Sequence, residues 1–236
     1  DFKIENGVAI YSVKKNNSTI VNDSEMGILF SDGTDLSNNL SIKSSNQKSF
    51  NEDWYPLYGE EEKINNNYNE LKISLTNQKN EFDIIFRAYD DGIAFKYVVP
   101  EQKNFSNYDI IDEKTEFNLS SKDSALWIPA FSYRRYEFLH AFSSVDDISK
   151  EFFSKHVEDI SYDTLGIDAA HTPLTIKMND GSFISIHEAN LVDFSSMTLA
   201  PRGGGNLEVE LYPWADGIKV KLSLIHISEP TRPTDI

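Results

Sequence analysis

The sequence predicts an all-β fold. Apolar residues recur at alternate positions along most of the chain, and helical periodicity is scarce. Turn dipeptides separate the alternating runs, among them Asn6-Gly7, Asp32-Gly33, Asp91-Gly92, Asp180-Gly181 and Asp216-Gly217. Short strands joined by such turns build a sandwich or a barrel.

A strand is expected over residues 7–14, opened by Asn6-Gly7. Residues 35–62 are rich in Asn and Ser and then in acidic residues, which reads as long loops with one or two strands. A strand over 69–76 follows. Phe82, Ile84 and Phe86 then share one strand face, with Asp83 and Arg87 on the other. After Asp90-Asp91-Gly92, the residues Ile93, Phe95, Tyr97 and Val99 alternate until Pro100. That is a hairpin signature, with glycine expected to supply positive φ. Residues 143–155 could hold a short helix. A second hairpin runs from Leu174, Ile176 and Met178 through Asn179-Asp180-Gly181 to Phe183 and onward to Glu188. Strands are expected at 196–200, 207–211 and 217–221. Arg202-Gly203-Gly204-Gly205 reads as a flexible loop; it lacks the helix and lysine of a phosphate cradle.

Composition narrows the function classes. The chain has 236 residues, 39% hydrophobic and 12% aromatic, enough for a folded core. A chain of this length buries roughly 70% of its unfolded surface. The formal charge of −16 repels phosphates and anionic lipid, so neither nucleic acid nor a membrane is expected as a partner. It leaves sugars open. There is no cysteine, hence no disulfide and no thiolate metal site. No run approaches the roughly 20 apolar residues of a membrane span. The chain begins at Asp1 rather than Met, so the lack of a leader is uninformative.

The run from Leu222 through His226, Ser228, Glu229, Pro230 and Arg232 resembles an in-frame translation of a transposase-type sequencing adapter. The expected division is therefore one domain over 1–221 and a non-native tail over 222–236. His226 and Glu229 stay out of every site argument.

Glu188 is the single carboxylate at the end of an apolar strand. Alternation sends His187 and Glu188 to opposite faces. If Ile184 and Ile186 face the core, Glu188 would too, and burying a lone carboxylate is costly. The strand should therefore end near Glu188 and leave the carboxylate at the rim. Residue type alone also fits an ordinary solvent-facing carboxylate. Acidic residues are plentiful, but no pair suited to glycoside hydrolysis stands out. His140, His156, His171 and His187 read as loop or surface histidines. Trp54, Tyr55, Tyr58, Trp127, Tyr133, Tyr136 and Trp214 could stack on sugars but are expected to pack.

Several segments, in order, resemble the N-terminal domain of glycoside hydrolase family 97, a family of bacterial α-glucosidases and α-galactosidases. They are Asn51-Glu52-Asp53-Trp54-Tyr55-Pro56-Leu57-Tyr58-Gly59-Glu60, Tyr68-Asn69-Glu70-Leu71 and Phe86-Arg87-Ala88-Tyr89-Asp90-Asp91-Gly92-Ile93-Ala94-Phe95-Lys96-Tyr97. Glu113-Lys114-Thr115-Glu116-Phe117, Tyr136-Glu137, Thr172-Pro173-Leu174-Thr175 and Leu211-Tyr212-Pro213-Trp214 continue the series. The most informative stretch is Glu188-Ala189-Asn190-Leu191-Val192-Asp193-Phe194-Ser195-Ser196-Met197-Thr198-Leu199. Asp53, Tyr58 and Lys96 depart mildly from the family pattern.

The resemblance implies a β-super-sandwich similar to galactose mutarotase, truncated before a (β/α)8 catalytic barrel. In such enzymes the barrel carries the catalytic groups, and this domain helps to close the active site. A calcium ion is held mainly by barrel glutamates, with one glutamate from the N-terminal domain, and Glu188 is the residue in that position. No catalytic or other cofactor-binding residue is expected within the chain, so it is read as non-catalytic and its parent as a glycoside hydrolase. Expected partners are the barrel and, through the parent, a carbohydrate substrate; a periplasmic location is also implied. A free-standing carbohydrate-binding or mutarotase-like protein is the alternative, and a purely structural interaction domain is the third.

Overall fold

The computed structural model describes residues 1–102, 109–130, 137–157, 167–189, 191 and 194–211, with the backbone of 220–221. The chain divides into two units, residues 38–106 and the remainder on either side.

In the flanking unit, β1 (Phe2–Glu5), β2 (Val8–Lys15) and β3 (Ser18–Met26) form an antiparallel meander. A second sheet joins β4 (Ile28–Phe30), β9 (Asp109–Glu113) and β18 (Val220–Lys221). A third orders β10 (Glu116–Asn118), β17 (Asn206–Leu211), β16 (Met197–Gly203) and β13 (Ala170–His171). A fourth orders β12 (Ala141–Ser144), β11 (Ser124–Trp127), β14 (Leu174–Lys177) and β15 (Phe183–Ile186). The pairing is antiparallel throughout these sheets.

Alternation explains the strands. β17 reads Leu207, Val209 and Leu211 inward, and Asn206, Glu208 and Glu210 toward partly exposed positions. Trp127 on β11 is 1% exposed, and its indole N–H donates to Ser143 Oγ at 3.0 Å. The expected helix is α1 (Lys150–His156). Ser149 caps it by accepting from the Phe152 amide, and Phe153, fully buried, packs on Trp127 at 5.7 Å between ring centroids.

The other unit is one sheet in the order β5 (Ser41–Trp54), β6 (Ile64–Thr76), β7 (Glu81–Ala88) and β8 (Ile93–Val98). Ile73, Leu75, Phe82 and Ile84 are buried. β7 pairs with β6 only from Asn69 onward, so Ile64 to Tyr68 pair with β5 alone. Residues 50–54 and 64–68 thus make a two-stranded arm.

Two expectations are corrected and one is sharpened. Of the one or two strands expected among the loops of 35–62, the structure has the long β5, whose residues are nearly all exposed. It is an edge strand wet on both faces, so no alternation marks it. The turn at 90–92 does not use positive φ. Four residues separate β7 from β8, with the Tyr89 amide donating to the Gly92 carbonyl at 2.8 Å. Loops of that length are commonly built on turns with negative φ. Finally, the flexible loop expected at 202–205 is ordered: Arg202 and Gly203 end β16, and Gly204-Gly205 make a tight hairpin turn in which the Gly205 amide donates to Asp146 Oδ1 at 2.8 Å and the Gly205 carbonyl accepts from Leu119. By contrast Gly181 does take φ +87° in the β14–β15 turn.

The expected tail at 222–236 lies outside the described residues, as does Gly217 in the strand expected at 217–221.

Candidate metal-ligating site

β15 ends at Ile186, two residues before Glu188, as alternation and the cost of burial required. Ile186 is buried, His187 exposed and Glu188 half-buried. Two donors meet the Glu188 carboxylate. The Met197 amide, at the start of β16, donates to Oε1 at 2.6 Å. The Thr172 hydroxyl, just after β13, donates to Oε2 at 3.2 Å. Burial holds the Glu188 carboxyl above its ordinary range, and the two donors pull it part of the way back.

A second carboxyl belongs to the same neighbourhood. Glu113 closes β9 and is 8% exposed. The Thr115 hydroxyl donates to its Oε1 at 2.6 Å. Burial pushes Glu113 up to about 7, and the charges of Glu188 and Asp112 add to the rise. Glu113 was not singled out from the sequence, and its burial does not make it one of a pair of carboxylates suited to glycoside hydrolysis. Glu113 is a poor candidate for a solvent-facing catalytic base because it is enclosed, and it feels Glu188 as a like charge.

The histidines divide. His140, His156 and His187 are exposed, as expected. His171 is not a surface residue: it lies on β13 at 4% exposure, and burial pushes its imidazole down to about 4. It is neutral at pH 7. Of the aromatic candidates, Trp127 packs in the core, whereas Trp54, Tyr55 and Tyr58 are 45%, 67% and 89% exposed. Those three do not pack in the core of this chain; they stand on and beyond the end of the two-stranded arm. Tyr133, Tyr136, Arg134, Arg135 and Trp214 lie outside the described residues.

Sequence reasoning singled out Glu188 and missed Glu113, Thr172 and Met197. The signal was present: each stands in a segment that carries the family resemblance. Those segments are far apart in sequence, and the sheets bring them together.

Fold and site define an all-β domain that presents one half-buried, doubly hydrogen-bonded carboxylate at a strand end. The chain belongs to the glycosyl-hydrolase 97 N-terminal family, which it matches over residues 1–225. A family 97 glycoside hydrolase from Pseudoalteromonas sp. strain K8, solved in complex with panose, is similar at 32% identity and a TM-score of 0.82, covering 94% of this chain and 31% of that one. The acarbose complex of a family 97 enzyme from the same strain gives the same identity, coverage and TM-score. A retaining α-galactosidase of Bacteroides thetaiotaomicron is 23% identical over 201 residues, 83% of this chain and 28% of that protein. The chain thus spans about a third of the length of these relatives. The β-super-sandwich expected from the resemblance is the fold observed.

Proposed function

We propose that this domain serves a calcium-dependent family 97 α-glucosidase or α-galactosidase, where it closes the active site of a (β/α)8 barrel and lends Glu188 to the calcium site. The held carboxylate of Glu188 carries this reading. Calcium takes six to eight oxygen ligands, and Glu188 offers carboxylate oxygens whose acceptor capacity is only partly used. The fit is that of one ligand among several: the described residues contain no cluster of three or more His, Cys, Asp or Glu able to hold an ion. The remaining ligands would come from elsewhere in the parent. A bound calcium ion supplies charge that polarises the glycosidic oxygen or steadies a catalytic carboxylate. A periplasmic location is proposed with this reading, on the family resemblance alone. No helix among the described residues is long and apolar enough to cross a membrane.

The test is a calcium titration of the full-length parent and its Glu188→Gln variant. Loss of one charged ligand should weaken calcium binding by about tenfold or more. Equal affinities would remove Glu188 from the calcium site. The 236-residue chain alone should bind calcium weakly or not at all.

A second reading rests on the exposed Trp54, Tyr55 and Tyr58. Aromatic faces on a surface free of cationic excess suit neutral sugars, so the arm tip would contact carbohydrate. Titration of the chain with maltooligosaccharides and galactosides, read by tryptophan fluorescence, tests it; an unchanged signal rejects this reading.

A further inference from the structure

Glu188 lies beyond β15, outside the backbone ladder that would otherwise restrict it. A glutamate side chain loses substantial rotamer entropy when it is fixed. Here the carboxylate is met at both oxygens, and the two donors are not independent. The antiparallel register of β13 and β16 pairs His171 with Thr198. Continuing that register by one step sets Thr172 beside Met197. The Thr172 hydroxyl lies 3.2 Å from Glu188 Oε2 and 3.4 Å from the Met197 carbonyl. It has one proton, and the charged acceptor at the shorter distance makes the stronger bond.

We infer that Thr172 is a positioning residue: with the Met197 amide it forms a two-point clamp that fixes the Glu188 carboxylate before any ion arrives. The inference rests on the reading of Glu188 as a metal ligand. A carboxylate has about four acceptor sites, so one bond at each oxygen leaves capacity on both. A ligand held in advance need not be ordered on binding, which removes part of the entropic cost of association. Outer-shell donors to metal-bound groups act in this way.

The clamp is tested on the 236-residue chain without metal, by NMR of the Glu188 side chain and of the Met197 amide. Thr172→Val keeps the shape and removes the hydroxyl; Thr172→Ser keeps the hydroxyl and removes the methyl. In the wild type and in Thr172→Ser, the side-chain couplings of Glu188 should report one rotamer. In Thr172→Val they should average over several, while the melting temperature changes little. Glu188→Gln should shift the Met197 amide proton upfield and speed its exchange about tenfold, as loss of a hydrogen bond to a charged group requires. A purely packing role for Thr172 reverses the pattern, with Val tolerated and Ser harmful. Several rotamers in the wild type, or one rotamer in Thr172→Val, would overturn the clamp. The calcium titration of the parent fails separately: a fixed Glu188 in a parent whose calcium affinity ignores Glu188→Gln keeps the clamp and removes the ligand reading.

Discussion

Glu70 on β6 and Arg87 on β7 stand directly opposite each other in register and form a 2.9 Å ion pair, with the guanidinium 4.5 Å from the centre of the Tyr68 ring. Tyr68 stacks in turn on Phe50 of β5 at 4.8 Å. Two segments that carried the family resemblance, Tyr68-Asn69-Glu70-Leu71 and Phe86-Arg87-Ala88-Tyr89, therefore meet as a cross-strand cluster that braces the sheet.

The Arg87 pair is mostly shielded, with side-chain exposures of 22% and 17%. Such a pair is worth more than a surface ion pair, and arginine adds the face of an aromatic ring. Arg87→Ala should lower stability by about 1–3 kcal/mol. Lysine keeps the charge but loses the planar fork, so Arg87→Lys should recover only part. Urea denaturation followed by circular dichroism measures both. A wild-type midpoint in Arg87→Ala would show that the cluster is not a brace.

Glu113 and His171 give stability two opposed pH dependences. Glu113 rises from an ordinary 4.5 to about 7 in the fold, so the folded state holds its proton longer. Its contribution is full below 4.5 and is lost as pH rises through 7. His171 falls from 6.5 to about 4, so the unfolded state takes the proton first. Its contribution is full above 6.5 and is lost as pH falls through 4. Each slope is at most about 1.4 kcal/mol per pH unit, and the two oppose each other between 4.5 and 6.5. Glu113→Gln keeps an acceptor for Thr115 and removes the alkaline loss. Relative to wild type, the variant should gain stability between about pH 5 and pH 8, by up to a few kcal/mol. Urea midpoints at the two pH values check this; a pH-independent difference would contradict the burial of Glu113.

Adjacent glycines at the β16–β17 turn should respond differently to a side chain. A Cβ on Gly205 would lie 2.6 Å from the Ser120 carbonyl carbon and the Ser121 nitrogen, both backbone atoms that cannot rotate away. A Cβ on Gly204 meets nothing within 4 Å, although φ is +68° there. Gly204→Asn should cost less than about 1 kcal/mol, since asparagine tolerates the left-handed region. Gly205→Ala should cost about 2–4 kcal/mol through displaced backbone. Thermal melts of the two variants make the comparison, and equal losses would refute the close approach.

The strands legible in the sequence were those with one dry face. β7 buries Phe82, Ile84 and Phe86 in alternation, and β17 buries Leu207, Val209 and Leu211. The bounds and length of β5 were illegible because neither of its faces is dry; its pairing to β6 comes from backbone bonds that no side-chain period reports. β13 has two residues, too few for a period. The site was half legible. Glu188 was singled out by the family resemblance, since the apolar run alone fits an ordinary strand carboxylate; the place where the strand ends followed from the cost of burying a charge. Thr172 and Met197 could not be found, because their meeting depends on the β13–β16 register rather than on local spacing. His171 was misread because β13 is too short for its alternation to show which residues are buried.

The end of the β5–β6 arm carries exposed apolar side chains that the domain's own stability does not need. Leu57 is 93% exposed and Tyr58 is 89% exposed, and the acidic run Glu60, Glu61 and Glu62 follows them. Surface substitutions away from packed groups usually change stability by less than about 0.5 kcal/mol. Leu57→Asp combined with Tyr58→Asp should therefore leave the melting temperature of the chain near that of wild type. Contiguous exposed apolar surface promotes association, so the same pair should reduce self-association of the isolated chain. Sedimentation velocity across a concentration series reads that change directly. A large fall in melting temperature would mean that Leu57 and Tyr58 are packed in solution. An unchanged association profile would move the sticky surface away from the arm.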